Sequence, residues 1–482
     1  MPKIQPKTGS EIDWEEKKSI VDYISSKLKK VDYYEIRLIE SKGDSILMNN
    51  GNIEAVGFGE GSGIGVRYIL NGCVGFFSTN FFSKEKADET IERSLKINSK
   101  IGGLGKKTNF SKEKIEKVDY TVKEKKKINE IDIKGKIEYI KGIDSSLLES
   151  QTKLISRMIY YSDEKTKKVY LNSEGSRIES EIPRIDIYYR FAVSENGSTL
   201  QRYWQDAVSG GFEKIEEKNV DEKVKEEAVA LKRNIIDGVQ SPKGMLEVIV
   251  SPEITGIMAH ESVGHPYEAD RILGRESAQA GESFVEPAML GSRIGNTIVN
   301  VVDDPTVDFS YGFYLYDDEG VKARRKYLIK DGIINEFLHN RETAYELNTH
   351  SNGSARAVSS DVEPIIRMSN TFVLPMDYKE EELIQETKLG IYIKNFTEWN
   401  IDDKRLNQKY KGNEAYLIEN GEITKPIRQP SIEITTPVLW SSVIGIADNL
   451  ELHAATCGKG EPMQGIPVTM GGPSMKLKIR IN

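Results

Sequence analysis

The chain has 482 residues, with 67 Lys and Arg against 75 Asp and Glu and a net charge of −8. A mildly acidic chain has no electrostatic footprint for DNA, RNA or an anionic membrane, so none of these is an expected partner. The two cysteines, Cys73 and Cys457, exclude a disulfide framework, and no apolar run is long enough to span a bilayer.

Met1 to Trp14 is polar and lacks a signal-peptide core, so a soluble, cytoplasmic protein is expected. Asp13 and Glu16 form a capping-box pattern ahead of a helix whose apolar face is Ile20, Val21, Ile24 and Leu28. A strand is expected over Tyr33–Glu40. Two tight hairpins follow at Asn50-Gly51 and Asn71-Gly72, because Asn-Gly readily adopts the positive φ angles such turns need. Gly59, Gly61, Gly63 and Gly65 lead into a strand rather than a helix, which excludes a phosphate-binding loop. A second helix spans about Ser83–Asn98, and the Lys-, Glu- and Gly-rich stretch 99–130 reads as a mobile connection. The lysines at 125–127 read as a solvated face.

Strands are expected at Val169–Asn172 and Ile185–Phe191, and a charged amphipathic helix at Asn219–Arg233. The breakers Asp237-Gly238 and Pro242-Lys243-Gly244 divide the chain, giving one α+β domain over 1–237 and a second over 238–482. The expected fold class is α+β, with mixed and antiparallel sheets flanked by helices. The second half opens on a buried-type strand, Met245–Val250, and Thr436-Pro437 begins a helix reaching about Ala447.

The chemistry lies in His260-Glu261-Ser262-Val263-Gly264-His265. Two imidazoles are good neutral zinc ligands, and the adjacent Glu261 is placed to act as general base on an activated water. The spacing is i and i+5, which on an ideal helix leaves the rings about 140° apart. An i→i+5 turn, or a helix ending at His265, must therefore bring them together, and Gly264 and Pro266 permit that distortion. A third ligand is needed, and both Cys457 and His453 lie in the C-terminal segment, with Gly458 and Gly460 freeing the Cys457 backbone. Glu268, Asp270 and the run Asp317-Asp318-Glu319 are candidates to orient the histidines or to make turns. His339 and His350 lack partners at ligand spacing, and Ser351–Ser354 reads as a plain turn. Tyr316 and His453 are the candidates for stabilising a transition state.

Several blocks together resemble the TldD/PmbA metallopeptidase family, on the TldD side. They are His260–His265 with Glu268 and Asp270, Val301-Val302-Asp303-Asp304, and Tyr316–Gly320. To these add Thr456-Cys457-Gly458-Lys459, Gln464–Val468, Gly63–Arg67 and Gly75-Phe76. The resemblance spans nearly the whole chain. It implies Cys457 as the third zinc ligand beside His260 and His265, and a C-terminal metallopeptidase domain carrying the metal helix. It also implies a dimer, with itself or with a TldE/PmbA-like paralogue lacking the motif, whose enclosed cavity admits short or unfolded peptides. The expected function is zinc-dependent peptide hydrolysis with Glu261 as base. The competing readings are a peptide-binding subunit with a structural zinc, and a metal-dependent amidase or esterase of small molecules.

Overall fold

The structure is a computed structural model that describes residues 12–101, 107–276 and 281–481. The sequence expectations for Met1–Trp14 and for 99–130 fall partly outside the described residues. The fold is α+β, as expected.

In the first half, α1 (Trp14–Lys27) starts where Glu16 N donates to the Asp13 carboxylate at 2.8 Å, and it buries Ile20, Val21 and Ile24. It is followed by β1 (Tyr33–Asn49), β2 (Asn52–Leu70), β3 (Cys73–Thr79), α2 (Lys84–Ile101), β4 (Lys117–Thr121) and α3 (Ile133–Glu149). Next come β5 (Leu154–Asn172), β6 (Arg177–Glu195), β7 (Ser198–Ser209), α4 (Phe212–Glu216) and α5 (Val220–Asp237). Asn50 and Gly51 have φ of 49° and 81°, and Asn71 and Gly72 have 55° and 80°, so both Asn-Gly pairs turn as their chemistry requires. The strands form one sheet in the order β3-β2-β1-β5-β6-β4, with β7 also on β6. All neighbours are antiparallel except β4 and β6. Strand β4 falls inside the stretch expected to be a loose connection. It is short and buries no residue fully, so it carries little of the apolar pattern that marks a strand.

The second half holds β8 (Val239–Gln240) and β9 (Gly244–Val250), which join a ten-stranded sheet. Strand β9 lies between Met475–Ile481, antiparallel, and Leu389–Ile393, parallel. Burial on both faces explains its apolar run from Val248 to Val250. A six-stranded sheet places Gln464–Gly472 between Asn370–Val373 and the edge strand Glu451–Lys459. Helix α6 (Pro252–Ala259) leaves β9 and packs on Gln464–Gly472. Two glycines meet at this crossing, where a Cβ on Gly256 would stand 2.7 Å from Gly471 N. The helix expected over 436–447 is shorter, Thr436–Ser441. Residues Val443–Ile446 instead pair with Met475–Ile481, so sheet hydrogen bonds outweigh the local helical pattern. No described helix is long and apolar enough to cross a membrane.

Candidate metal centre

Helix α6 does not continue regularly past Ala259. Residues His260–Gly264 form a π turn in which His265 N–H donates to His260 C=O, the first of the two arrangements that the histidine spacing allowed. The two imidazoles consequently face one another, with ring centroids 4.9 Å apart and planes at 83°. Gly264 has a second reason to be glycine, because a Cβ there would overlap the Met368 sulfur.

Cys457 reaches these rings from the edge strand Glu451–Lys459, not from the flexible loop that its flanking glycines suggested. Arg367 braces this strand, donating to Cys457 C=O and, at 2.7 Å, to Gln464 C=O. One potential ligand atom from each of His260, His265 and Cys457 lies within 4.8 Å of the others, and all three residues are buried. Cys457 Sγ is 3.4 Å from His265 Nε2. Tetrahedral donors at about 2.0–2.1 Å for nitrogen and about 2.3 Å for sulfur would lie roughly 3.5 Å apart, so the donor set fits zinc. His260 Nδ1 is buried without a hydrogen-bond partner, an arrangement that costs free energy unless a ligand completes it.

The electrostatics match that chemistry. Burial alone would push the Cys457 thiol up, but His265, His260 and Arg367 hold it well below the ordinary thiol value. Burial would lower His260, but the Cys457 sulfur, followed by Glu261 and Glu268, raises it. The histidine pair and the cysteine thus form a buried centre that favours a thiolate, the ligating form of cysteine.

Glu268 supports this centre. Its Oε2 lies 3.2 Å from His265 Nδ1 and accepts from Arg271 Nε at 2.6 Å, with Lys459 Nζ at 3.2 Å. Burial raises its carboxyl, yet Lys459, His265 and Arg271 hold it well below the usual carboxylate range. An ionised Glu268 is placed to accept from His265 Nδ1, with His265 Nε2 turned toward Cys457. Asp270 does not touch a histidine. It takes Lys459 Nζ at 2.8 and 2.7 Å, anchoring the base of the cysteine strand.

Other sequence candidates lie elsewhere. Asp317 accepts backbone N–H groups of Glu319, Val321 and Ala355 at 2.9–3.0 Å. Asp318 pairs with Lys168 at 2.9 Å, and Glu319 binds Arg67 and accepts from Arg341 N at 2.6 Å. This run closes a turn and ties it to the first-half sheet instead of orienting the histidines. Asp303 binds Lys326 at 2.8 Å, and Asp304 binds Arg325 at 2.7 Å. Tyr316 OH reaches Glu116 at 3.4 Å. His453 shares the strand of Cys457 but lies four residues away, with its ring centroid 5.5 Å from that of Trp204. His339 Nδ1 contacts Thr343 Oγ1 at 3.2 Å, while His350 is exposed. Ser351–Ser354 is irregular chain with a bend at Gly353, where φ is 70°.

Sequence reasoning missed two residues beside Glu261. Arg405 Nη1 donates to Glu261 Oε2 at 2.7 Å, and Trp399 Nε1 donates to Oε1 at 3.3 Å. Both lie on a hairpin about 140 residues downstream, and no local motif marks either one.

Comparison with known proteins covers most of the chain. Models of the PmbA/TldA metallopeptidase match as domain 1 over residues 34–97, as the central domain over 126–232 and as the C-terminal domain over 243–481. The chain is 34% identical to metalloprotease MJ0996 of Methanocaldococcus jannaschii over 460 residues, 94% of this chain and 97% of that protein. It is 27% identical over 429 residues to a zinc metalloprotease TldD homolog of Saccharolobus solfataricus, covering 88% and 90% of the two chains. The crystal structure of TldE from Thermococcus kodakarensis superposes with a TM-score of 0.73 at 18% identity, covering 96% of this chain and 99% of that one, which establishes the shared fold. The chain belongs to the PmbA/TldD metallopeptidase family.

Proposed function

We propose that this protein is a zinc-dependent peptidase of the His-Glu-x-x-x-His type, in which His260, His265 and Cys457 hold the ion and Glu261 is the general base. The observation that carries the reading is the convergence of two imidazoles and a thiol, all buried, beside that glutamate. Three protein ligands leave a fourth position open, the pattern of a catalytic site. Zinc bound there supplies Lewis acidity, which polarises a carbonyl and acidifies water. Glu261 takes the water's proton and delivers it to the leaving amine. Glu268 holds His265 in the tautomer that exposes Nε2, and Arg367 keeps the Cys457 strand in place.

The substrates we propose are short or unfolded peptides, and the working form is a dimer, either of this chain or with a TldE-like partner. Support for the partner comes from the family and from the fold shared with TldE. We retain the division at 237/238 and a cytoplasmic location as parts of the same proposal.

The test is Glu261→Gln, which keeps the shape of the side chain but cannot accept the proton. Peptide turnover should fall by about 10²–10⁴-fold while zinc content stays at the wild-type level. Near wild-type cleavage by this variant would refute the mechanism.

A further inference from the structure

Glu261 does not hang free beside the histidines. Each of its carboxylate oxygens is engaged, Oε2 by Arg405 at 2.7 Å and Oε1 by Trp399 at 3.3 Å. The two bonds are unequal. A charge-assisted bond at 2.7 Å is strong, whereas a neutral indole bond at 3.3 Å is long and weak. The Arg405 and Glu261 side chains are only 13% and 12% exposed, so the pair is largely shielded from solvent.

The hairpin presenting these donors is Phe396–Ile401 and Asn407–Gly412. Its turn is built to hold Arg405 in place. Arg405 has φ 63°, a left-handed conformation that is unfavourable for a residue with a Cβ. The surroundings impose it. Asp402 accepts from Leu406 N at 2.7 Å and from Asn407 Nδ2 at 2.6 Å. Thr436 Oγ1 donates to Arg405 C=O at 2.9 Å, and Thr436 N donates to Leu406 C=O at 2.8 Å. A non-glycine residue kept in an unfavourable conformation by its neighbours, with its guanidinium on a candidate general base, is the pattern of strain retained for function.

We propose that Arg405 is a positioning residue for Glu261. It occupies Oε2, fixes the carboxylate plane, and leaves Oε1 as the oxygen that takes the proton once the weak indole bond gives way. The assignment rests on the reading of Glu261 as general base. A glutamate free to rotate about its side-chain bonds would spend much of its time out of reach of the water, and a misplacement of about 1 Å can cost about 10²-fold in rate.

The test uses the full-length, zinc-loaded protein and compares Arg405→Ala, Arg405→Lys, Glu261→Gln and the Glu261→Gln/Arg405→Ala double variant. Arg405→Ala should lower kcat by about 10- to 100-fold, with KM within about twofold and zinc content unchanged. Arg405→Lys should recover part of the loss, and so should added guanidinium ion with Arg405→Ala. In the Glu261→Gln background, removing Arg405 should change kcat no further. Independently of activity, thermal melts of the metal-free proteins should show Arg405→Ala costing more in the wild-type background than in the Glu261→Gln background.

Turnover by Arg405→Ala within about twofold of wild type overturns the proposal. An equal extra loss in the double variant, or loss of zinc from Arg405→Ala, also overturns it. Equal turnover by wild type and Glu261→Gln sinks the base assignment itself, and the two failures are told apart because that comparison does not involve Arg405.

Discussion

The crossing of α6 over Gln464–Gly472 sets the spacing of the candidate metal centre, and Gly256→Ala tests this directly. Helix α6 carries His260 one turn beyond Gly256, while Gln464–Gly472 pairs with the strand that carries Cys457. A Cβ on Gly256 would meet Gly471 N at 2.7 Å, Gly471 Cα at 2.9 Å and Met470 C at 3.0 Å. All three are backbone atoms that cannot rotate away. An ordinary contact of about 3.5 Å therefore demands that helix and strand separate by about 0.8 Å. Two stability effects oppose each other. Alanine gains up to about 1 kcal/mol of helix propensity, and overpacking costs about 1–3 kcal/mol. Because the two oppose each other, the melting temperature does not isolate the strain at the crossing. Ligand distances, by contrast, must hold to about 0.2 Å, so the zinc Kd should rise by about 10- to 100-fold. Competition with a chromogenic chelator measures this. Gly465→Ala is the control, because its nearest neighbour beyond the adjoining residues is Thr456 Cγ2 at 3.4 Å. Unchanged zinc affinity in Gly256→Ala would refute the idea that this crossing fixes the ligand spacing.

Cys457→Ala should abolish tight zinc binding while His453→Ala keeps it, because only Cys457 faces both histidines. The cobalt-substituted protein should show a thiolate charge-transfer band, and release of metal from His453→Ala alone would reverse the assignment. His339 predicts a stability change with pH. Burial lowers its folded pKa to about 4, against about 6.5 unfolded, so its contribution is complete above pH 6.5 and lost as the pH falls toward 4. At about pH 4.5 the wild type should have lost about 2.5 kcal/mol relative to His339→Gln, compared with their difference at about pH 7.5. Denaturant melts at the two pH values measure it, and parallel losses in both proteins would contradict the assignment. Zinc content and turnover of Glu261→Gln, taken on one preparation, separate loss of metal from loss of the base.

Local chemistry made much of this protein readable from its sequence. Asp13 caps α1 and the Asn-Gly pairs turn their hairpins because those preferences act within a few residues. The same holds for the metal motif. Histidines five apart cannot meet on a regular helix, and residues 260–264 widen it into a π turn, one of the two departures the spacing allowed. Where local and non-local preferences conflict, the sequence misleads. Residues 443–446 read as helix but pair with Met475–Ile481, and 117–121 read as a loose connection but pair with β6. Cys457 lies 192 residues from His265, and Arg405 lies 144 residues from Glu261. Those meetings are decided by which strands are neighbours and in what register, so no short stretch of sequence encodes them. The sequence by itself determined the pair of histidines, the glutamate beside them and the need for a departure from regular helix between them. Only the tertiary structure decided that an edge strand brings Cys457 to the histidines, that Glu268 contacts His265 while Asp270 holds Lys459, and that Arg405 meets Glu261, because contacts between distant segments follow from sheet topology.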